Sequence, residues 1–104
     1  MTTETVLMVR VYLTEGDKLL KRCMALLHDE RKVRGVTVLR GVTGFGANGH
    51  VHSSSLIDVF MDLPLVLEFF DTPDRAREAI SGLREFIKPG HIVSWSAELE
   101  VEAA

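Results

Sequence analysis

Over residues 5–13, Leu7, Val9, Val11 and Leu13 alternate with Val6, Met8, Arg10 and Tyr12, the two-residue period of a strand. Thr14-Glu15-Gly16-Asp17 breaks this period and offers capping oxygens. Leu19, Leu20, Cys23, Met24 and Leu27 then recur at helical spacing, predicting a first helix that runs to about Val33. Gly35 is expected to stop that helix, and residues 36–39 read as a second strand. The stretch 47–62 sets Ser53-Ser54-Ser55 beside Leu56, Ile57, Val59 and Phe60, and reads as a loop leading into an extended arm. Residues 65–70 read as a third strand. Pro64 cannot donate to a ladder, so it belongs at that strand's start or at an edge. Thr72, Pro73 and Asp74 form a helix start: an N-cap, a proline in the first turn and an acid at the positive dipole end. Ala76, Ala79, Ile80, Leu83, Phe86 and Ile87 mark one face of this second helix, which Lys88-Pro89-Gly90 is expected to end. A last strand follows over 92–101, with Val93, Trp95, Ala97, Leu99 and Val101 on one side.

The order βαββαβ predicts an α+β, ferredoxin-like sandwich, in which two helices cover one face of a four-stranded antiparallel sheet. The uncovered face would carry Val6, Met8, Tyr12, Val66 and Phe70 or their alternates along the same strands. Such an apolar surface marks an interface, so oligomerisation is expected. At 104 residues the chain has room for a single domain, and its 46% apolar and 26% charged residues are those of an ordinary globular protein. No apolar run approaches the length of a bilayer span, and Met1-Thr2-Thr3-Glu4 lacks the basic start of a signal peptide, which makes the cytoplasm the expected compartment. The single cysteine, Cys23, excludes an intramolecular disulfide and is expected to be a buried thiol. A net charge of −3, with Lys and Arg dispersed along the chain, argues against nucleic acid as a partner.

Five of the eight glycines fall within residues 35–49. Gly41-Val42-Thr43-Gly44-Phe45-Gly46 is a candidate turn whose backbone N–H groups could cradle an anion, with Arg40 and the Thr37 and Thr43 hydroxyls as further donors. The alternative is that the backbone at a strand exit simply needs glycine. The string does not match a P-loop or a dinucleotide fingerprint. His50 and His52 would share one side of a strand and could hold a metal if Asp58, Asp62 or a neighbouring subunit completed the shell. Unrelated loop histidines are the plainer reading. His28, late in the first helix, reads as a dipole partner, whereas His91 at the mouth of the last strand could reach a ligand. Ser53 to Ser55 beside His52, and Asp58 with Asp62, do not form a convincing catalytic constellation, so no enzymatic activity is expected. Arg75, Arg77 and Arg84 with Asp74, Glu78 and Glu85 read as an ion-paired helix face.

The string Gly35-Val36-Thr37-Val38-Leu39-Arg40-Gly41-Val42-Thr43-Gly44-Phe45-Gly46, followed by Asp62-Leu63-Pro64 and an apolar strand, resembles the PII-like family of domain of unknown function 190 over roughly residues 9–101. The resemblance implies a homotrimer that holds an adenine nucleotide in clefts between subunits. Thr37, Arg40, Gly41, Gly44, Phe45 and Gly46 would line the cleft, joined by Lys88, Gly90 and His91 from the counterpart of the PII B-loop. Residues 47–60, with Asn48, His50, His52 and Ser54, would be the counterpart of the T-loop that docks on a protein target. His91 stands where PII proteins carry a lysine, and Glu98, Glu100 and Glu102 replace their C-terminal arginines. Fewer cations favour AMP or ADP over ATP. The loop has no tyrosine, so uridylylation is not expected. The alternatives are an interaction subunit of a membrane transporter without a small ligand, and a metal-responsive module using His50 and His52.

Overall fold

The computed structural model describes residues 1–14, 18–45, 51–53 and 63–103. In chain order these form β1 (Thr2–Thr14), α1 (Leu20–Met24) running on into a π-helical segment (Ala25–Glu30), β2 (Gly35–Arg40), β3 (Thr43–Phe45), β4 (Val51–Ser53), β5 (Pro64–Asp71), α2 (Pro73–Leu83) and β6 (Ile92–Val101). The four long strands make one antiparallel sheet in the order β2-β5-β1-β6, and β3 pairs with β4 in a separate ribbon. This is the ferredoxin-like arrangement that the alternation predicts.

The alternation becomes a core because paired residues share a face. Val9 lies opposite Phe69, Val11 opposite Leu67 and Leu13 opposite Leu65, and all six are buried. Cys23 and Leu27 from the first helix, with Ala76, Ala79, Ile80 and Leu83 from α2, pack onto this side. Each of the larger side chains contributes about 1.5–3 kcal/mol by leaving water. Pro64 takes the first position of β5, and the Thr72 hydroxyl caps α2 by accepting from Arg75 N–H at 3.4 Å.

Several boundaries differ from the expectation. β1 extends to Thr2, because β6 continues to pair with it as far as Thr2↔Val101, well beyond the last β5 partner at Leu7↔Asp71. The first helix is α-helical only to Met24 and then widens, with Arg31 N–H donating to the Leu26 carbonyl at 2.8 Å and Val33 N–H to that of Leu27 at 3.0 Å. The widening coincides with two consecutive buried leucines, Leu26 and Leu27. Lys32, with φ of 50°, makes the left-handed turn that ends this helix, so Gly35 is not the stop. Gly35 instead leaves room for a ring: a Cβ there would come within 2.8 Å of Phe70 Cε1. Helix α2 ends at Leu83 rather than at Lys88, and the chain reaches Gly90 through turns that leave Ile87 buried. Residues 15–17, expected to cap the first helix, lie outside the described residues.

Asp71, at the end of β5, is only 1% exposed. Its Oδ1 accepts from Thr72 N–H at 2.7 Å, its Oδ2 accepts from Arg75 Nε at 3.0 Å, and Arg34 Nε lies 3.6 Å away. Arg75 also donates through Nη2 to the carbonyls of Arg31 and Lys32 at 2.9 and 3.0 Å, satisfying the end of the first helix. Arg34 in turn grips Glu4 of β1, and its hydrogen bond to Glu4 raises the guanidinium above its ordinary value. Asp71→Ala is expected to lower unfolding stability by about 2–4 kcal/mol, because it orphans donors arranged around a buried charge. Glu4→Gln, at a half-exposed pair, is expected to cost under about 1 kcal/mol. Urea denaturation of the two variants at one protein concentration measures the difference.

Candidate functional site

The face of the sheet away from the helices carries Met8, Tyr12, Val66, Phe70, Leu39, Val93 and Trp95, with Leu39, Val93, Trp95 and Tyr12 between 40% and 49% exposed. Val6 shares this face but is buried. Among the described residues no helix covers this face, and of the two alternating sets it is the one with Met8, Tyr12, Val66 and Phe70 that lies on it. At its centre, Arg10 Nε donates to Glu68 Oε2 at 2.7 Å across the β1–β5 ladder, and the Arg10 guanidinium lies 5.6 Å from the centre of the Trp95 ring. The hydrogen bond to Glu68 raises the Arg10 guanidinium above its ordinary value. A shallow cavity of about 220 Å³ opens beside the pair, lined among others by Val6, Met8, Gly35, Thr37, Glu68 and Phe70. Sequence reasoning did not single out Arg10 and Glu68 as partners. The available signal was one cation and one anion, each interrupting an otherwise apolar strand side.

Gly41 to Phe45, the described part of the glycine-rich turn, do not form an anion cradle. Gly41 N–H donates to the Pro64 carbonyl at 2.7 Å, and Thr43–Phe45 form β3, with Gly44 opposite His52 and Phe45 opposite Val51. A cradle needs residues with positive φ, and among the described glycines only Gly90 has one, at 92°. The conformational reading of Gly41 is therefore the better one: a Cβ there would meet Pro64 Cγ at 2.8 Å, so the absence of a side chain lets the strand exit lie against the proline. Thr37 and Arg40, expected to act together, lie on opposite faces of β2. Thr37 pairs with Glu68 on the open face and Arg40 with Leu65 on the helix side. Phe45 and Val42 are 74% and 73% exposed.

The second group of candidates lies at the other edge of the sheet. His91 N–H bonds to the Lys88 carbonyl, its carbonyl accepts from Tyr12 N–H at 2.9 Å, and its ring Nδ1 lies 3.0 Å from the Tyr12 carbonyl, a contact in which Nδ1 donates. That leaves Nε2 for another partner. Lys88, Gly90 and His91 are exposed. Arg40 at the end of β2 and His91 at the start of β6 thus stand at the same end of the sheet but three strand spacings apart, about 14 Å. One chain does not bring the two groups together.

Gly46, Asn48, His50, Ser54, Asp58 and Asp62 lie outside the described residues, and of His52 only the backbone in β4 is described. Among the described residues no group of three or more His, Cys, Asp or Glu could hold a metal. His28 Nδ1 lies 2.8 Å from Asp29 Oδ1, both side chains exposed. The helix-two charges do not pair with each other: Arg75 turns to Asp71 and Glu78 reaches Arg31 at 3.6 Å. Cys23 is buried, as its apolar setting predicts. No helix among the described residues is long and apolar enough to cross a membrane.

The architecture defines an α+β sandwich of the PII-like and CutA1-like type, with one sheet face uncovered. Residues 6–99 match the model of the DUF190 family, described as Uncharacterized ACR, and the chain belongs to that family. Among solved structures it is similar to CPII of Thiomonas intermedia K12 bound to ADP and bicarbonate, at 17% identity and a TM-score of 0.68 over 96% of this chain and 91% of that one. A second structure of CPII, a nitrogen regulatory PII-like protein bound to ADP, AMP and bicarbonate, matches at 16% identity and a TM-score of 0.65 over 96% and 91% of the two chains. CutA1 of Oryza sativa matches at 12% identity and a TM-score of 0.62, over 99% of this chain and 87% of that one.

The packing at the strand exit yields a test. Gly41→Ala is expected to cost about 1–3 kcal/mol, because its Cβ overlaps Pro64. Gly44→Ala, whose Cβ would sit at an ordinary 3.5 Å from Pro64 Cγ, is expected to cost under about 1 kcal/mol. Thermal unfolding of both variants compares them.

Proposed function

We propose that the protein is a non-enzymatic, PII-like regulator: a homotrimer that binds AMP or ADP in clefts between subunits and reports the nucleotide to a protein target through the segment that follows β3. The observation that carries this reading is the division of the candidate residues between two edges of one sheet. Two half-sites about 14 Å apart are ill suited to a small ligand within one chain. They suit a cyclic assembly, in which the β2 edge of one subunit meets the β6 edge of the next. The uncovered apolar face supplies the surface for such an assembly, and the adenine nucleotides bound by the CPII structures indicate the ligand class. Arg40 and Lys88 are the cations assigned to the phosphates. The acidic Glu98, Glu100 and Glu102 disfavour a triphosphate. The exposed Val42 and Phe45 beside the signalling segment fit contact with a protein target, of which a membrane transporter is one candidate.

Light scattering is expected to give three times the 11.6 kDa chain mass, and calorimetric titration micromolar AMP or ADP at one site per chain, with ATP weaker. Arg40→Ala and Lys88→Ala are each expected to weaken ADP at least tenfold, since a charge-assisted contact is worth about 1.5–3 kcal/mol. Subunits of the two variants, mixed and reassembled in equal amounts, are expected to regain tight binding at about a quarter of the clefts, where each edge comes from the subunit that retains it. No recovery on mixing would place both groups in one subunit's site. No heat with any adenine nucleotide from an intact trimer would leave the partner-only reading in front.

A further inference from the structure

The described arginines are engaged, with two exceptions. Arg10 pairs with Glu68, Arg22 lies over the Phe86 ring at 4.2 Å, Arg31 meets Glu78, Arg34 holds Glu4, Arg75 holds Asp71, and Arg40 makes a contact of its own. Arg77 and Arg84 have neither a carboxylate nor a ring partner among the described residues. Both line the same depression of about 230 Å³ between α2 and the first half of β6, whose other walls are Ile80, Ser81, Ile92 and Ser94.

The placement follows from two periodicities. Arg77 and Ser81 on α2 and Arg84 at its C-cap, still in helical conformation, stand at i, i+4 and i+7 along one stripe, with the two arginine Cα atoms about 10 Å apart. Ser94 pairs with Val9, so it lies on the helix side of β6 and faces that stripe. The groove therefore offers two guanidinium forks and two hydroxyls, and no carboxylate lines it. A guanidinium has five donors and no acceptor, and it matches phosphate or carboxylate oxygens two at a time.

We propose that this groove binds a small anion bearing two oxyanion groups, one held by Arg77 and the other by Arg84, with Ser81 and Ser94 as hydroxyl donors. The groove adjoins the turn that carries Lys88 and His91, since Ile92 follows His91 directly, but none of its lining residues is assigned to the adenine nucleotide, so the proposal does not rest on that assignment.

Pyrophosphate, the simplest molecule with two such groups, is the probe. Titrated into the full chain at low ionic strength, it is expected to bind with a dissociation constant of about 1 mM or tighter, and to perturb the amide resonances of Ser81 and Ser94. The double variant R77Q/R84Q is expected to weaken that binding at least tenfold while its ADP affinity stays within about twofold. The Lys variant R77K/R84K, which keeps charge but loses the fork, is expected to fall between. Equal pyrophosphate affinity in wild type and R77Q/R84Q, absence of binding to the wild type, or perturbations confined to residues 37–45 and 88–91 would each overturn the proposal. Because both arginines are exposed, the circular dichroism of R77Q/R84Q is expected to match the wild type.

Discussion

A carboxylate sealed from water survives in a folded protein only where donors surround it, and Asp71 satisfies that condition with the groups that hold the molecule together. The Thr72 N–H fixes where β5 stops and α2 begins. Arg75, one turn into that helix, turns back to Asp71 and reaches the open carbonyls of Arg31 and Lys32, tying the second helix to the end of the first. Arg34 links the same charge to Glu4 on the protruding part of β1. One charge thus joins two helices and two strands at one end of the sheet. Both helices lie on the same face, and among the described residues no helix covers the other.

The middle of that open face is apolar apart from Arg10, Glu68 and the neighbouring Thr37, with Glu4 at its far end. Arg10 and Glu68 are partly solvated in the isolated chain, where such a pair contributes little to stability. In the proposed trimer the same pair would lose its water. It would then act less as a source of affinity than as a register mark, since an apolar surface can slide against a copy of itself and a directional charge pair opposes sliding. The cation over Trp95 extends this constraint to β6.

The ends of the sheet divide the labour between structure and ligand. At the β2 edge, Gly41 and Pro64 lock the strand exit by a hydrogen bond and by contact without an intervening Cβ, which delivers the chain to the β3–β4 ribbon. At the β6 edge, His91 is held through its ring and its backbone to Tyr12, and Lys88 and Gly90 stay exposed beside it. Rigid anchoring next to exposed donors suits a binding site, because little ordering remains to be done when the ligand arrives.

The sequence by itself determined the element order, the cap on α2, the existence of an uncovered apolar sheet face and the family, because these rest on local periodicity and short motifs. Which of the two alternating sets of β1 and β5 is buried was decided by the helices that pack on it. The sequence did not reveal that Lys32 rather than Gly35 ends the first helix, since a left-handed lysine is stabilised by Arg75 from the other helix. Nor did it separate Thr37 from Arg40: strand alternation places them on opposite faces, but the glycine-rich string suggested a turn in which they would converge. The pairing of Arg10 with Glu68, the burial of Asp71 among its donors and the fit of Gly41 against Pro64 were decided only by tertiary structure. Each joins residues more than twenty positions apart or depends on packing around a neighbour, and strand register, which no local pattern encodes, sets which of them meet.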